Sequence, residues 1–277
     1  MMMAVPCDIP VFDSVTHIGK CMRGRAVIAA SHGGLYAVHL ALQEGVGGLV
    51  VCDASVGVDR AGISGLAYAD GLGVPCAAIH HRSARIGDGA HCAAQGLISF
   101  ANACAVKLGV RVGMSALEAA QRMDAAGLQP VDPGESPDEA RVSLTVRQGL
   151  RPIVLLDSAS LAAPQDEGCV VLTASHGGLL GGRPETAIKV PVFAALFNDA
   201  GIGCDNAGIS RLPALQSRGI AAATVAAHSA RIGDARSAWA TGVISRVNPV
   251  SYAIGGREGQ TAYEWAERMA SVVATPE

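Results

Sequence analysis

Aromatic side chains make up only 4% of the 277 residues, and charged ones only 16%. The core must therefore be built from Ala, Val, Ile and Leu. A solvated disordered chain is excluded, because such chains are rich in charge and poor in aliphatic residues. Net charge is −3 and lysine occurs three times, with no basic block. Nothing electrostatic attracts nucleic acid or an anionic membrane. No uninterrupted apolar run reaches the roughly 20 residues of a spanning helix. Met1-Met2-Met3-Ala4-Val5-Pro6 has no charged n-region followed by a long apolar stretch, so no secretory leader is read there. The 8 cysteines include no CxxC pair and sit mostly in apolar stretches. They read as reduced, hydrophobe-like thiols, which leads to the expectation of a cytoplasmic protein.

Several nucleotide and hydrolase signatures are also missing. There is no G-x-x-x-x-G-K-[ST] and no G-x-S-x-G. Gly45-Val46-Gly47-Gly48 precedes its apolar run instead of following it, so it does not fit a dinucleotide fingerprint. Cys76, His80, His81, His91 and Cys92 lie close in sequence, but their spacing matches no usual zinc pattern.

What the chain does have is glycine (34 residues), 50% hydrophobic content and one tetrapeptide that occurs twice. Ser31-His32-Gly33-Gly34 follows the run Ala26 to Ala30. Ser175-His176-Gly177-Gly178 follows Val170 to Ala174. Each reads as a buried strand that ends in a polar, glycine-rich loop.

The similarity extends well beyond the tetrapeptide. Asp13-Ser14 matches Asp157-Ser158, and from Cys52 to Met123 the chain matches Asn198 to Met269 without a gap. About 30 of those aligned positions are identical. Ser83-Ala84-Arg85-Ile86-Gly87-Asp88 recurs intact as Ser229-Ala230-Arg231-Ile232-Gly233-Asp234, and Asn102 faces Asn248. This self-similarity leads us to expect an ancestral tandem duplication.

Both halves predict the same order of elements. A strand ends at Asp13 or Asp157, and a second ends at the Ser-His-Gly-Gly loop. A helix then spans Leu35 to Glu44, or less cleanly Glu185 to Leu196. Next come a strand over Gly48 to Cys52, a helix from about Arg60 to Leu72, and a strand over Pro75 to Ile79. A strand over Leu97 to Ala101 and a helix from about Ser115 to Met123 close the unit. Short apolar strands alternating with helices imply parallel sheet covered on both faces. The expectation is an α/β fold of two homologous units, pseudo-twofold related, each a mainly parallel sheet flanked by helices. The first unit is placed at residues 1–128 and the second at 151–277. Residues 129–150 form a linker and connecting segment, Pro-rich from Gln129 to Glu139.

In parallel sheets ligands bind at the carboxyl ends of strands, and the repeated polar blocks fall there. His32 with His176 is the one histidine pair kept in both halves, so these two are the expected acid/base groups. Neighbours on a strand end point to opposite sides, so Ser31 and His32 are not expected to act on each other. Their partners are sought in Asp53 or Asp59. Ser31 and Ser175 are candidate nucleophiles or anion donors, and Asp59 and Asp205 candidate bases or orienters. Gly33, Gly34, Gly177 and Gly178 would present backbone N–H groups to a ligand. Ser83, Arg85, Ser229 and Arg231 would clamp an anionic group. Asn206, which faces Arg60, is one of the differences a single asymmetric substrate would need. The blander readings are a helix N-cap at Ser31 and Asp59, and an Arg85–Asp88 pair bracing a turn.

These groups suggest an enzyme of small-molecule metabolism with no organic cofactor. No metal is expected; with the zinc spacing absent, a divalent ion held by Asp59, His32 and their counterparts is the arrangement left open. Hydrolysis of a C–N (amide-type) bond in a small polar or anionic substrate is the lead reaction. A lyase or isomerase working by proton transfer next to a carboxylate, or a non-catalytic binder of small ligands, uses the same groups. The expected partners are a small-molecule substrate and further copies of the chain, with no nucleic acid and no membrane.

Overall fold

The fold begins with strands that have no polar face. β2 (Ala26–His32) is buried along its whole length except at His32. β3 (Gly48–Cys52) is buried at every residue. A strand buried on both faces needs a layer on each side, which the computed structural model shows. It describes residues 8–137, 139–144 and 149–272. The chain is α/β with two sheets, each mainly parallel and flanked by helices. It divides into two compact units: residues up to Ala54 with Gly62–Pro137, and Ser55–Ala61 with the chain from 138 onward.

The first unit contains β1 (Val11–Phe12), β2, α1 (Leu35–Gln43), β3, α2 (Ser64–Gly71) and β4 (Cys76–Ile79). α3 (Gly89–Gln95), β5 (Ile98–Ala101), α4 (Ala103–Lys107) and α5 (Ala116–Ala125) complete it. The strands lie side by side in chain order, β1 to β5. Only β5 is antiparallel to its neighbour. Right-handed crossovers between strands laid down in sequence fall on one face. Accordingly α1 packs on α2 and on the 3-10 turn Val15–His17. α3 and α5 pack together against β2. Because the parallel strands never reverse their order, the sheet has no topological switch point to open a crevice. Any site at the strand ends must be shaped by the loops themselves.

The second unit repeats this plan with one more strand. β6 (Arg141–Leu144), β7 (Ile153–Leu156), β8 (Val170–His176), β9 (Ala194–Asn198), β10 (Ala221–Val225) and β11 (Ile244–Val247) form a six-stranded sheet. β6 and β11 are the antiparallel edges. The helices are α6 (Arg211–Gln216), α7 (Ala235–Thr241), α8 (Pro249–Ala253) and α9 (Ala262–Ala270). Trp265 is fully buried in its core and donates its indole N–H to Ser251 Oγ at 2.9 Å. β6 falls within the segment expected to connect the halves, of which residues 138 and 145–148 lie outside the described residues. Arg141 on β6 grips the fully buried Asp166 carboxylate through both guanidinium arms.

Two expected helices differ. The one sought at Glu185 to Leu196 is absent. That stretch holds a 3-10 turn, Pro184–Thr186, and then β9. Gly181 and Gly182 take positive φ, and Pro184 and Pro191 cannot donate to a helical ladder. The helix expected from Arg60 starts at Ser64 instead. Asp59 and Arg60 are left-handed, at φ 51° and 58°, and break it.

The missing helix accounts for one sequence difference. In the first unit α1 packs on α2 at Gly65, where an added Cβ would sit 2.4 Å from a Val38 methyl and 2.9 Å from Gly34 O. In the second unit no helix fills that place, and Arg211 stands where the first half has Gly65. Arg211 is buried and donates to Gly178 O at 2.9 Å and Ala187 O at 2.7 Å. Its guanidinium stacks 4.8 Å from the Phe197 ring, and burial pulls it down to about 10. Gly65→Ala should therefore cost about 1–3 kcal/mol through overpacking, read as a lower denaturant midpoint with an unchanged slope.

Candidate functional site

The tetrapeptides sit at the carboxyl ends of β2 and β8, and most of their polar groups are engaged by the chain itself. Ser31 Oγ is buried and accepts the Val15 N–H at 3.0 Å. Ser175 Oγ accepts the Ala159 N–H at 2.8 Å. Both hydroxyls, the expected nucleophiles, pin the 3-10 turn that follows the preceding strand.

The glycine N–H groups are taken as well. Gly33 N–H donates to Cys52 O and Gly177 N–H to Asn198 O, each at 2.8 Å. Gly34 N–H donates to His32 Nδ1 at 3.1 Å and Gly178 N–H to His176 Nδ1 at 3.2 Å. Ser64 Oγ and Ser210 Oγ occupy the next N–H, at Leu35 and Leu179. Gly33 is needed for close approach: an added Cβ would lie 2.9 Å from a Val51 methyl and 3.0 Å from Gly62 O. The four glycines therefore close a tight strand-to-loop corner instead of cradling a ligand.

These contacts also fix the histidine tautomer. A ring nitrogen that accepts a hydrogen bond carries no proton, so in both rings the proton is on Nε2. Burial lowers His32 to about 4, which keeps it neutral at pH 7. A neutral ring with its proton on Nε2 is a hydrogen-bond donor. It is not a base, because the one free lone pair already faces a backbone N–H. In both units the Nδ1 lone pair of the histidine expected to act as acid or base is thus turned to the chain's own backbone.

The other blocks are mostly braces. Ser83 Oγ donates to His80 O and accepts Leu97 N–H, at 2.8 and 3.0 Å. Ser229 does the same with Ala226 O and Val243 N–H, at 2.8 and 2.9 Å. Asp88 and Asp234 cap α3 and α7, and Arg85 reaches Asp88 at 3.4 Å, the bracing pair. Arg231 Nε donates to Asp59 Oδ2 at 2.8 Å, within the second unit. That bond, reinforced by the Asp59 charge, raises the Arg231 pKa. An expected base and an expected anion clamp thus neutralise each other. Asp59 and His32 are not among the groupings of metal-ligating side chains in the described residues. Asp205 and Asn206 take φ 51° and 58°, exposed on a loop of the same shape as Asp59-Arg60.

A different cluster comes together at the ends of β3, β4 and β5. Asp53 is only 2% exposed. Its Oδ1 accepts the His81 backbone N–H at 2.9 Å and lies 3.1 Å from His81 Nδ1. Its Oδ2 accepts the Ser99 hydroxyl at 2.9 Å. His80 stacks on His81 with ring centroids 4.6 Å apart. Asp199, the counterpart of Asp53, is satisfied by the backbone N–H groups of Gly201 and Ala227, at 2.8 and 2.9 Å. Ala226 and Ala227 stand where His80 and His81 would be, so the cluster belongs to the first unit alone. In the sequence His80 and His81 stand out only within a cluster that has no zinc spacing, and Ser99, matched by Ser245, looks like any repeated strand residue. The signal available was the place of His80 and His81 at the carboxyl end of β4, beside an aspartate both halves keep; Ser99 joins them from the amino end of the antiparallel β5.

The β3 end is also strained. Ala54, Ser55 and Val56 take φ of 44°, 64° and 66°, ahead of Gly57 at 67°. Ala200, Gly201 and Ile202 after β9 take φ of 48°, 76° and 64°, so this bend belongs to both units and does not single out the first-unit cluster. Comparison with protein-family models, curated proteins and solved structures finds no match to this chain.

Two outcomes follow. Ser31→Ala should lower stability by ~1–2 kcal/mol, since Val15 N–H loses its buried partner. The His32 value near 4 lies below the unfolded value near 6.5. Between the two, the unfolded chain binds more protons, so stability should fall as pH drops from about 6.5 to about 4 and level off below. In urea titrations across that range, His32→Asn should remove ~1–3 kcal/mol of the decline.

Proposed function

We propose that the chain is an enzyme of small-molecule metabolism, working at the carboxyl ends of β3 and β4 in the first unit. The observation that carries this reading is the Asp53–His81 pair. A carboxylate that is 2% exposed faces Nδ1 of an imidazole whose side chain is 15% exposed. A buried carboxylate holding Nδ1–H leaves Nε2 with its lone pair outward, which is the arrangement of an oriented general base. His81 would draw a proton from water as the water oxygen attacks the carbonyl carbon of an amide-type bond in a small polar or anionic substrate, and would return that proton to the departing nitrogen as the C–N bond breaks. His32, neutral and with its proton on Nε2, can offer a hydrogen bond in the same row of strand ends.

One observation favours a second reaction. Ser31 and Ser175 both bond to backbone, and the Ser99 hydroxyl faces Asp53 and not the outer nitrogen of His81. None of these three serines is placed as a nucleophile beside the base. Proton transfer next to a carboxylate, in a lyase or isomerase, needs none. We further read the two units as products of a duplication in which only the first kept the histidines. The matched blocks occupy the same places relative to their strands in both, in support of that history. Assembly into homo-oligomers is part of the same proposal.

The test is Asp53→Asn, assayed with wild type on a panel of small amides, cyclic imides and hydroxy acids. Asparagine keeps the shape but offers no charge to hold the His81 tautomer. Turnover should fall by about 10²–10⁴ with little change in KM. Unchanged turnover would refute the assignment.

A further inference from the structure

We propose that the end of β4 in the first unit binds one divalent transition-metal ion through Asp53, His80 and His81. A ligand atom from each of the three lies within 4.8 Å of those of the other two. The tightest pair is informative. Asp53 Oδ1 and His81 Nδ1 are 3.1 Å apart. Two donors that each sit ~2.0–2.1 Å from a shared zinc ion are separated by about 3 Å when they subtend roughly a right angle. The observed spacing therefore suits neighbouring ligands of one ion. His80 is the third donor: its Nδ1 carries a lone pair, now turned to the Arg82 N–H at 3.2 Å.

The surroundings supply what such a site needs. Ser99 holds the far carboxylate oxygen, and the His81 N–H holds the near one, so the carboxylate is oriented before an ion arrives. The His80 carbonyl accepts the Ser83 N–H and hydroxyl, both at 2.8 Å, and the His80 N–H donates to Leu97 O at 2.8 Å. The two histidines therefore sit on a pinned turn. Two imidazoles with one carboxylate select zinc or ferrous-type ions over calcium or magnesium, which prefer all-oxygen sites. Three protein donors leave positions open for water and substrate.

The inference rests on the reading that this strand end is the working site, and it changes the agent there. A metal ion lowers the pKa of its bound water to near neutrality. Hydroxide would then be supplied by the ion, with His81 a ligand in place of a free base.

The experiment is zinc binding by the full, chelator-treated chain, measured by competition with a chromophoric chelator. Wild type should take up zinc with a micromolar or tighter Kd. His80→Ala and His81→Ala should each weaken uptake at least tenfold, with unchanged circular dichroism. Uptake only at millimolar zinc, or equal uptake by His80→Ala, would overturn the proposal. The readout does not involve turnover, so the two readings fail separately. If no zinc binds and Asp53→Asn still abolishes turnover, the metal site falls and the base assignment stands. If zinc binds through His80 and Asp53→Asn retains turnover, the site stands and the enzyme reading falls.

Discussion

A carboxylate buried at the end of a strand has to be solvated by the protein, and the strand ends of the first unit are arranged around that requirement. An unpaired buried charge costs several kcal/mol. Asp53 meets the cost with the His81 N–H, the His81 ring and the Ser99 hydroxyl. Those donors come from the turn after β4 and from β5, so one side chain ties three strands together at their chemically useful end. The antiparallel β5 is what brings Ser99 there. Its register pairs Ala78 with Phe100, and Ser99 Oγ also donates to Ala78 O at 3.1 Å.

The second unit solves the same problem without an imidazole. Asp199 is 4% exposed, as deeply set as Asp53, yet backbone N–H groups satisfy it. The aspartate is thus structural in both units and becomes chemically interesting only where histidines flank it. Gly65 and Arg211 show the same logic elsewhere. The first unit closes α1 against a glycine, and the second unit, lacking that helix, fills the space with a buried guanidinium solvated by carbonyls.

Much of this fold was legible in the sequence. The continuous apolar runs Ala26–Ala30 and Gly48–Cys52 could only be strands covered on both faces, and they are. Helix α1 was readable to within a residue, since Gly34 ends the strand and a regular apolar face follows. The stretch at 185–196 misled because its apolar residues suit a strand or a helix equally, and the prolines decide between them. Left-handed Asp59 and Arg60 were invisible, since nothing about Asp or Arg announces positive φ. The site was legible in place but not in person. The repeated Ser, Gly and Arg residues lie at the strand ends as expected, bonded there as corners, caps and braces. Repetition marks what both units need, and both need a fold. A function carried by one unit leaves its trace where the halves disagree, as His80-His81 and Ala226-Ala227 do.

On the proposed function, reactive chemistry belongs to the first-unit cluster and not to the twice-occurring Ser-His-Gly-Gly loop. Turnover by His81→Gln, set beside His176→Gln, measures this most directly. Glutamine keeps hydrogen-bonding capacity at both places but neither titrates nor binds metal as imidazole does. The account predicts that His81→Gln loses activity while His176→Gln retains it at close to the wild-type rate. An inactive His176→Gln beside a fully active His81→Gln would contradict it.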